Sequence, residues 1–341
     1  MRPPEHQRAV AAAICGIGSY LPERVLTNAD LEQLVDTSDE WIVSRTGIRE
    51  RHIVAEGEAT SDMAAAASRV ALERAGVSAS DLDLIIVATS TPDMAFPATA
   101  CLVQTKIGAS CAAYDLNAAC TGFIYALDAA CAAIESGRAR TVLVAGSDAL
   151  STIVDFADRS TCVLFGDGAG AVVVCAAGEP GILSTVLGAD GAGADLLKVP
   201  GGGSASPATC ESVAAREVSI RMNGPEVFKF AVRAVPKAAR AALKAAHLTI
   251  EDLAWLVPHQ ANQRIMDAAA EKLHVPAERV FSNVAGVGNT SCASIPVALD
   301  DLYTSGRLAP GMALVLVGFG AGLTWGATAL RWIMPAPARK G

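Results

Sequence analysis

Asn117-Ala-Ala-Cys-Thr-Gly-Phe-Ile-Tyr-Ala-Leu-Asp128 returns, 172 residues on, as Asn289-Thr-Ser-Cys-Ala-Ser-Ile-Pro-Val-Ala-Leu-Asp300. The two stretches share Asn-x-x-Cys at one end and Ala-Leu-Asp at the other. A second pair, Leu72–Leu82 and Leu243–Leu253, repeats at an offset of 171, with Ala75 matching Ala246 and Asp81 matching Asp252. Two blocks in the same order at nearly one offset mark an internal duplication, divided here into residues 1–185 and 186–341. Apolar runs rich in Val, Ile and Leu at 84–88, 141–145, 171–175, 253–257 and 313–317 read as strands buried on both faces. Helical patterns at 61–76, 121–137, 226–246 and 261–273 lie between them. This alternation predicts an α/β fold with mainly parallel, mixed sheets. Residues 121–137 are apolar nearly all round, so this helix belongs in the centre, between two sheets.

The composition excludes several classes. Of 341 residues, 52% are hydrophobic and 18% charged, so much of the chain is buried and a subunit interface is favoured. A net charge of −8 argues against a nucleic-acid or anionic-membrane binder. The nine cysteines contain no CxxC pair, which argues against a zinc ribbon, and several sit in apolar Ala-rich stretches as small hydrophobes. A reducing cytosol and free thiols fit best. The N-terminal stretch Met1–Tyr20 has too short an apolar run for a signal peptide, and no run of about twenty apolar residues occurs.

Three residues stand out chemically. Cys120 opens the central helix, where the positive end of the dipole favours a thiolate. His259 ends the strand at 253–257, where ligand sites of α/β folds gather; His6, His52, His247 and His274 read as surface or helix-end residues. Asn289 lies after a strand at 279–284 and either caps the next helix or donates its amide into a site. The duplication puts Cys120 and Asn289 on equivalent turns. Thr37-Ser-Asp-Glu40 reads as a capping box for a short helix that Gly47 ends, with Trp41 and Arg45 on one face. The glycine runs at 165–171 and 318–327 are not dinucleotide fingerprints and mark close backbone approach.

Taken with Asp36–His52, Ala95–Cys101, Asp158–Ala171, Pro258–Ile265, Gly288–Pro296 and Phe319–Ala327, the chain resembles β-ketoacyl-acyl-carrier-protein synthase III along nearly its whole length. The resemblance implies a duplicated five-layered thiolase-like fold, α-β-α-β-α with a buried central helix pair, working as a cytoplasmic homodimer. It implies a Cys120–His259–Asn289 triad that condenses an acyl-CoA, acetyl-CoA first, with malonyl-acyl-carrier protein. No metal, redox cofactor, membrane or nucleic acid is implied. Cys120 and Ala321 supply backbone oxyanion donors. Thr37, Trp41, Arg45, Arg159, Gly224, Ala261 and Asn262 face CoA, with Trp41 and Arg159 on either side of the adenine. Phe96 closes the partner's acyl pocket, and Lys229, Arg264 and Lys272 form the carrier-docking patch.

The chain departs from the family at Ala321, where glycine is usual and alanine implies backbone strain, at Ala285–Val287, at Cys292 and at Glu271. These departures keep open a relative that loads a branched, longer or aromatic starter. A non-catalytic acyl-binding subunit is the reading from a different class, and the complete triad counts against it. A degradative thiolase would carry a second cysteine among Gly318–Gly322, which has none.

Overall fold

The computed structural model describes residues 10–337; His6 lies outside them, and the N-terminal apolar run from Ala11 onward forms the first strand. The main strands are β1 (Ala11–Tyr20), β2 (Leu84–Ala88), β3 (Ala112–Leu116), β4 (Thr141–Asp148), β5 (Gly168–Ala177), β6 (Ile182–Ala189), β7 (Leu253–Pro258), β8 (Ala313–Gly320) and β9 (Thr324–Arg331). The helices that matter here are α1 (Asp39–Thr46), α2 (Thr60–Ala75), α3 (Thr99–Ile107), α4 (Gly122–Glu135), α5 (Gly224–Ala245), α6 (Gln263–Leu273) and α7 (Ser294–Thr304).

One sheet runs β1-β5-β4-β2-β3 and the other β6-β9-β8-β7. Laid side by side, these are one order written twice. The second half's counterpart of β3 is reduced to a single parallel bridge, Leu256 to Val280, so the strand expected at 279–284 is not built. Short helical turns at Ala277–Arg279 and Val284–Val287 close in on it from both sides. Parallel pairing is confined to β2–β3, β2–β4 and β7–β8. These are pairs joined through crossover helices; β8–β9, joined by a tight turn, and β4–β5, joined by the segment 149–167, pair antiparallel. The division expected between residues 185 and 186 falls inside β6, whose ladder is with β9.

The offset of 172 recurs in three dimensions: β4 and β8, the 3₁₀ turns Ala119–Thr121 and Ser291–Ala293, and the first residues of α4 and α7 all keep it. Helices α4 and α7 lie between the sheets. Their Phe123, Ile124, Leu127, Ile295, Leu299 and Leu302 share one core with Val144 and Val172 of the first sheet and Leu314 and Leu316 of the second. Helix α2 covers the outer face of the first sheet, and α5 with α6 that of the second. Five layers result, with the two repeated turns facing each other at the centre. Among the described residues no helix is long and apolar enough to cross a membrane.

Two local expectations differ. The cap of α1 is Ser38, one residue after Thr37, and the Ser38 hydroxyl accepts from Trp41 N–H. With Trp41 at the third helical position the expected capping box does not form, while Gly47 ends the helix at φ 78° as expected. Cys15 and Cys175 are not free: they are joined by a disulfide between β1 and β5, at a bulge of β1 between Ile14 and Gly16. Their Cα atoms stand 6.1 Å apart, inside the span a bridge requires. A sequence separation of 160 hides that proximity from the chain.

Candidate active site

The two repeated turns share one backbone device. Ala119 and Ser291 both adopt left-handed φ, 48° and 52°, which non-glycine residues avoid unless something holds them there. What holds them is an asparagine two residues earlier. Asn117 Oδ1 accepts the Ala119 N–H at 3.1 Å, and Asn289 Oδ1 accepts the Ser291 N–H at 2.9 Å. With its carbonyl tied back, Asn289 has only its NH₂ left to offer outward. The residue after each strained position, Cys120 or Cys292, then opens a central helix.

His259 follows β7. Its N–H donates to Val317 O at 2.8 Å, its Nδ1 stands 2.5 Å from Ser294 Oγ, and its ring meets Phe319 edge-on at 5.5 Å between centroids. Burial lowers its pKa to about 3, so the imidazole is neutral at working pH.

Cys120, His259 and Asn289 line one cavity of about 470 Å³, together with Trp41, Arg45, Gly224, Ala261 and Asn262. Lys229 and Arg264 also line it. A second cavity of about 270 Å³ reaches Cys120 from the other side, past Ala321, Leu150, Ile153 and Ile220. One buried thiol thus sits where a polar-mouthed channel meets a mostly apolar chamber, a place for a chain to be transferred from one to the other.

A family model described as 3-oxoacyl-[acyl-carrier-protein] synthase III matches residues 114–191, and its C-terminal counterpart matches 243–332. The β-ketoacyl-[acyl-carrier-protein] synthase III of Desulfitobacterium hafniense is 53% identical over 325 residues, covering 95% of this chain and 98% of that protein. The Xylella fastidiosa enzyme of the same name is 52% identical over 326 residues, covering 95% and 99%. This chain belongs to the β-ketoacyl-acyl-carrier-protein synthase III family. Among solved members, the Aquifex aeolicus synthase III matches with a TM-score of 0.88 at 48% identity, covering 94% of this chain and all of that one. The priming β-ketosynthase of the R1128 polyketide pathway matches at 0.90 and 40%, covering 98% and 99%.

As a synthase III, the chain is an acyl-transferring condensing enzyme, and its remaining predicted residues fall as follows. Arg159 lies directly over Trp41, guanidinium carbon 4.9 Å from the ring centre, with Nη1 donating to Asp36 O at 2.7 Å. Two faces holding a planar base between them need about 7–8 Å, so this slot is closed onto itself by a cation–π contact. Thr37 does not line the cavity; its hydroxyl is buried without a partner. Asn262 Nδ2 donates to Arg45 O at 3.0 Å and its Oδ1 accepts from Arg264 N–H at 2.9 Å, locking α1 against α6 at the cavity mouth. Phe96 is 85% exposed and lines neither cavity. Lys272 leans on α5, its ammonium donating to Val232 O at 3.1 Å, away from the mouth.

Three chemical expectations need correction or addition. The thiolate expected at the head of α4 is not the resting state: burial pushes the Cys120 thiol up to about 11, a Ser291 hydrogen bond pulling against it and the Asp148 charge adding to it. Desolvation here outweighs the helix terminus. Alanine at 321 brings no left-handed strain, because Gly322 takes the unusual φ, 132°. Gly320 carries the close approach: a Cβ there would stand 2.8 Å from the Cys120 nitrogen. Sequence reading also missed Ser294, Phe319 and Asp148. The first two lie within motifs that carried the resemblance, yet only folding brings them to His259. His247 and His274 are exposed helix-end residues, as read.

Proposed function

We propose that this synthase III condenses an acyl-CoA starter, acetyl-CoA first, with malonyl-acyl-carrier protein, through an acyl–Cys120 intermediate, and so initiates fatty acid synthesis. Cys120 Sγ attacks the thioester carbonyl and its proton leaves with the CoA thiol. Malonyl-acyl-carrier protein then takes the emptied channel. Carbon dioxide departs, and the electron pair it leaves becomes an enolate whose oxygen accepts from His259 Nε2–H and Asn289 Nδ2–H. The enolate carbon attacks the acyl–Cys120 carbonyl, whose oxyanion lies against the backbone N–H groups of Cys120 and Ala321. Collapse expels the Cys120 thiolate and frees a 3-oxoacyl-acyl-carrier protein.

The observation that carries this reading is the meeting of two cavities at one buried thiol flanked by a neutral imidazole and an amide whose oxygen is already engaged. In this scheme the first half of the chain holds the nucleophile and the second holds the enolate donors. Trp41, Arg45, Arg159, Gly224, Ala261 and Asn262 serve CoA, with Arg159 swinging off Trp41 to admit the adenine. Carrier docking at Lys229, Arg264 and Lys272 is supported by the outer face of α5. Its exposed residues from Lys229 to Lys244 are Lys229, Arg233, Lys237, Arg240 and Lys244, every one basic in a chain of net charge −8. A homodimer is supported by the bare edge of β3 and by exposed Met94, Phe96 and Tyr114 near it, Phe96 reaching the partner's acyl chamber. The cytoplasm is the proposed compartment; the Cys15–Cys175 bridge is unusual there, and mass with and without reductant measures it.

The test separates the half-reactions. Intact mass after mixing with a panel of acyl-CoAs reads acylation, and carbon dioxide release from malonyl-acyl-carrier protein reads decarboxylation. His259→Ala is expected to acylate and fail to decarboxylate. Absence of any acyl adduct on Cys120 would return the chain to an acyl-binding role, and a clear preference for branched or aromatic CoA esters would replace acetyl-CoA as starter.

A further inference from the structure

The two nitrogens of a neutral imidazole do opposite things, one donating and the other accepting, and which does which is set by the partner of the engaged nitrogen. The engaged nitrogen of His259 is Nδ1, 2.5 Å from the Ser294 hydroxyl. Ser294 is the first residue of α7 and 1% exposed; His259 is 3% exposed. Neither group has water to fall back on. We propose that Ser294 is a positioning residue that fixes His259 as its Nε2–H tautomer, making the ring a hydrogen-bond donor to the cavity instead of a proton acceptor. This rests on the reading of His259 as a donor to the malonyl thioester.

The proton count decides it. Ser294 Oγ already accepts the Gln260 N–H at 3.3 Å. A hydroxyl has one proton and two lone pairs. Among the described residues no carbonyl takes that proton, and the basic atom within reach is His259 Nδ1. If Nδ1 carried the ring proton, Oγ would accept twice and its own hydrogen would be buried without a partner. If Nδ1 is the acceptor, every atom is satisfied and the ring proton resides on Nε2.

The hydroxyl is also not part of the turn's own architecture. At the equivalent place in the other half, 172 residues earlier, stands Gly122, which opens α4 equally well with no side chain at all. Val317 O and Phe319 already hold the backbone and the ring plane of His259. Beyond its bond from the Gln260 N–H, what Ser294 adds is the choice of nitrogen. The consequence reaches the chemistry: an Nε2–H cannot take the Cys120 proton, so the residue that serves decarboxylation is not the base of the acylation step. The two half-reactions are served by different groups.

Ser294→Ala is therefore expected to slow carbon dioxide release from malonyl-acyl-carrier protein roughly 10- to 100-fold, the usual range for a lost orienting partner. Acylation of Cys120 by acyl-CoA should stay within about twofold, a split that a general packing defect would not produce. The direct readout is ¹⁵N NMR of histidine-labelled full-length protein, with the His259 signals assigned by their loss in His259→Ala. Wild type should show the proton on Nε2, and Ser294→Ala should show Nδ1–H gaining population. An Nδ1–H ring in wild type overturns the proposal outright, even if Ser294→Ala does not fold. So does a Ser294→Ala enzyme that decarboxylates at the wild-type rate, or one whose acylation falls as far as its decarboxylation. Wild-type decarboxylation by His259→Ala is a different failure: it removes the donor reading itself, and the proposed consequence with it.

Discussion

The chain holds the same thiol twice. Cys120 and Cys292 follow the same left-handed residue, on the same asparagine-tied turn, at the head of the same central helix. Yet Cys120 is 9% exposed and touches both cavities, whereas Cys292 is 1% exposed and reaches neither. Its Sγ donates to Ala88 O at 3.0 Å and lies 3.1 Å from Asp148 Oδ2, and burial with that carboxylate beside it holds the thiol far above its usual pKa. Asp148 in turn accepts from Thr89, Ser90 and Thr91. The duplicated turn thus supplies a frame, and what stands behind it decides the use: a chamber behind one cysteine, a carboxylate knot behind the other. The asparagines divide in the same way, Asn289 lining the first cavity and Asn117 the second.

The contrast is broken most severely at the thiols. Cys120→Ser should lose at least about 10³-fold in acyl-enzyme formation by intact mass, whereas Cys292→Ala should stay within about twofold in turnover while losing about 1–2 kcal/mol of stability. Equal losses from both would make the second thiol part of the reaction. The asparagines come next. Asn289→Ala should lower condensation about 10²- to 10³-fold with acylation intact. Asn117→Ala, which only unties its turn, should fall no more than about tenfold in either half-reaction.

The pH dependence is smaller and more telling. A thiol with its pKa raised to about 11 is protonated at neutrality, so its reactive fraction grows as pH rises and saturates only near that value. Iodoacetamide labelling of Cys120 should accelerate nearly tenfold per pH unit from 7 to 10, with Cys292 unlabelled in the folded protein throughout. A plateau already at pH 7 would restore the thiolate expected at a helix terminus. The smallest effect is conformational. Ala119→Gly relieves about 1–2 kcal/mol of left-handed strain and adds about 0.5–1 kcal/mol of chain entropy, for a net gain of about 0.5 kcal/mol in thermal unfolding. Ser291→Gly should do no better, since it also removes the hydroxyl beside Cys120.

Much of this was legible in the chain. Val- and Leu-rich runs located β2 and β7 almost to the residue, because strands buried on both faces carry no polar interruptions to blur them. The repeated Asn-x-x-Cys located both turns, because an asparagine-tied turn writes its geometry into two fixed positions. The thiol's resting state was not legible. It depends on Phe165, Leu197 and Ser291, which come from three distant parts of the chain to exclude water from Cys120. The closed Trp41–Arg159 stack, the disulfide and the serine behind His259 escaped for the same reason: each is a meeting of segments whose spacing carries no trace of it.

The missing fifth strand of the second half also limits how copies of this chain can assemble. In the first sheet β3 leaves one side unpaired, whereas the corresponding edge of β7 is met by Val280 and the turns around it. A pair joined edge to edge through β3 would be isologous, each copy spending the same edge on the other. Because both copies spend β3 on each other, growth by strand addition at that edge stops at a closed twofold.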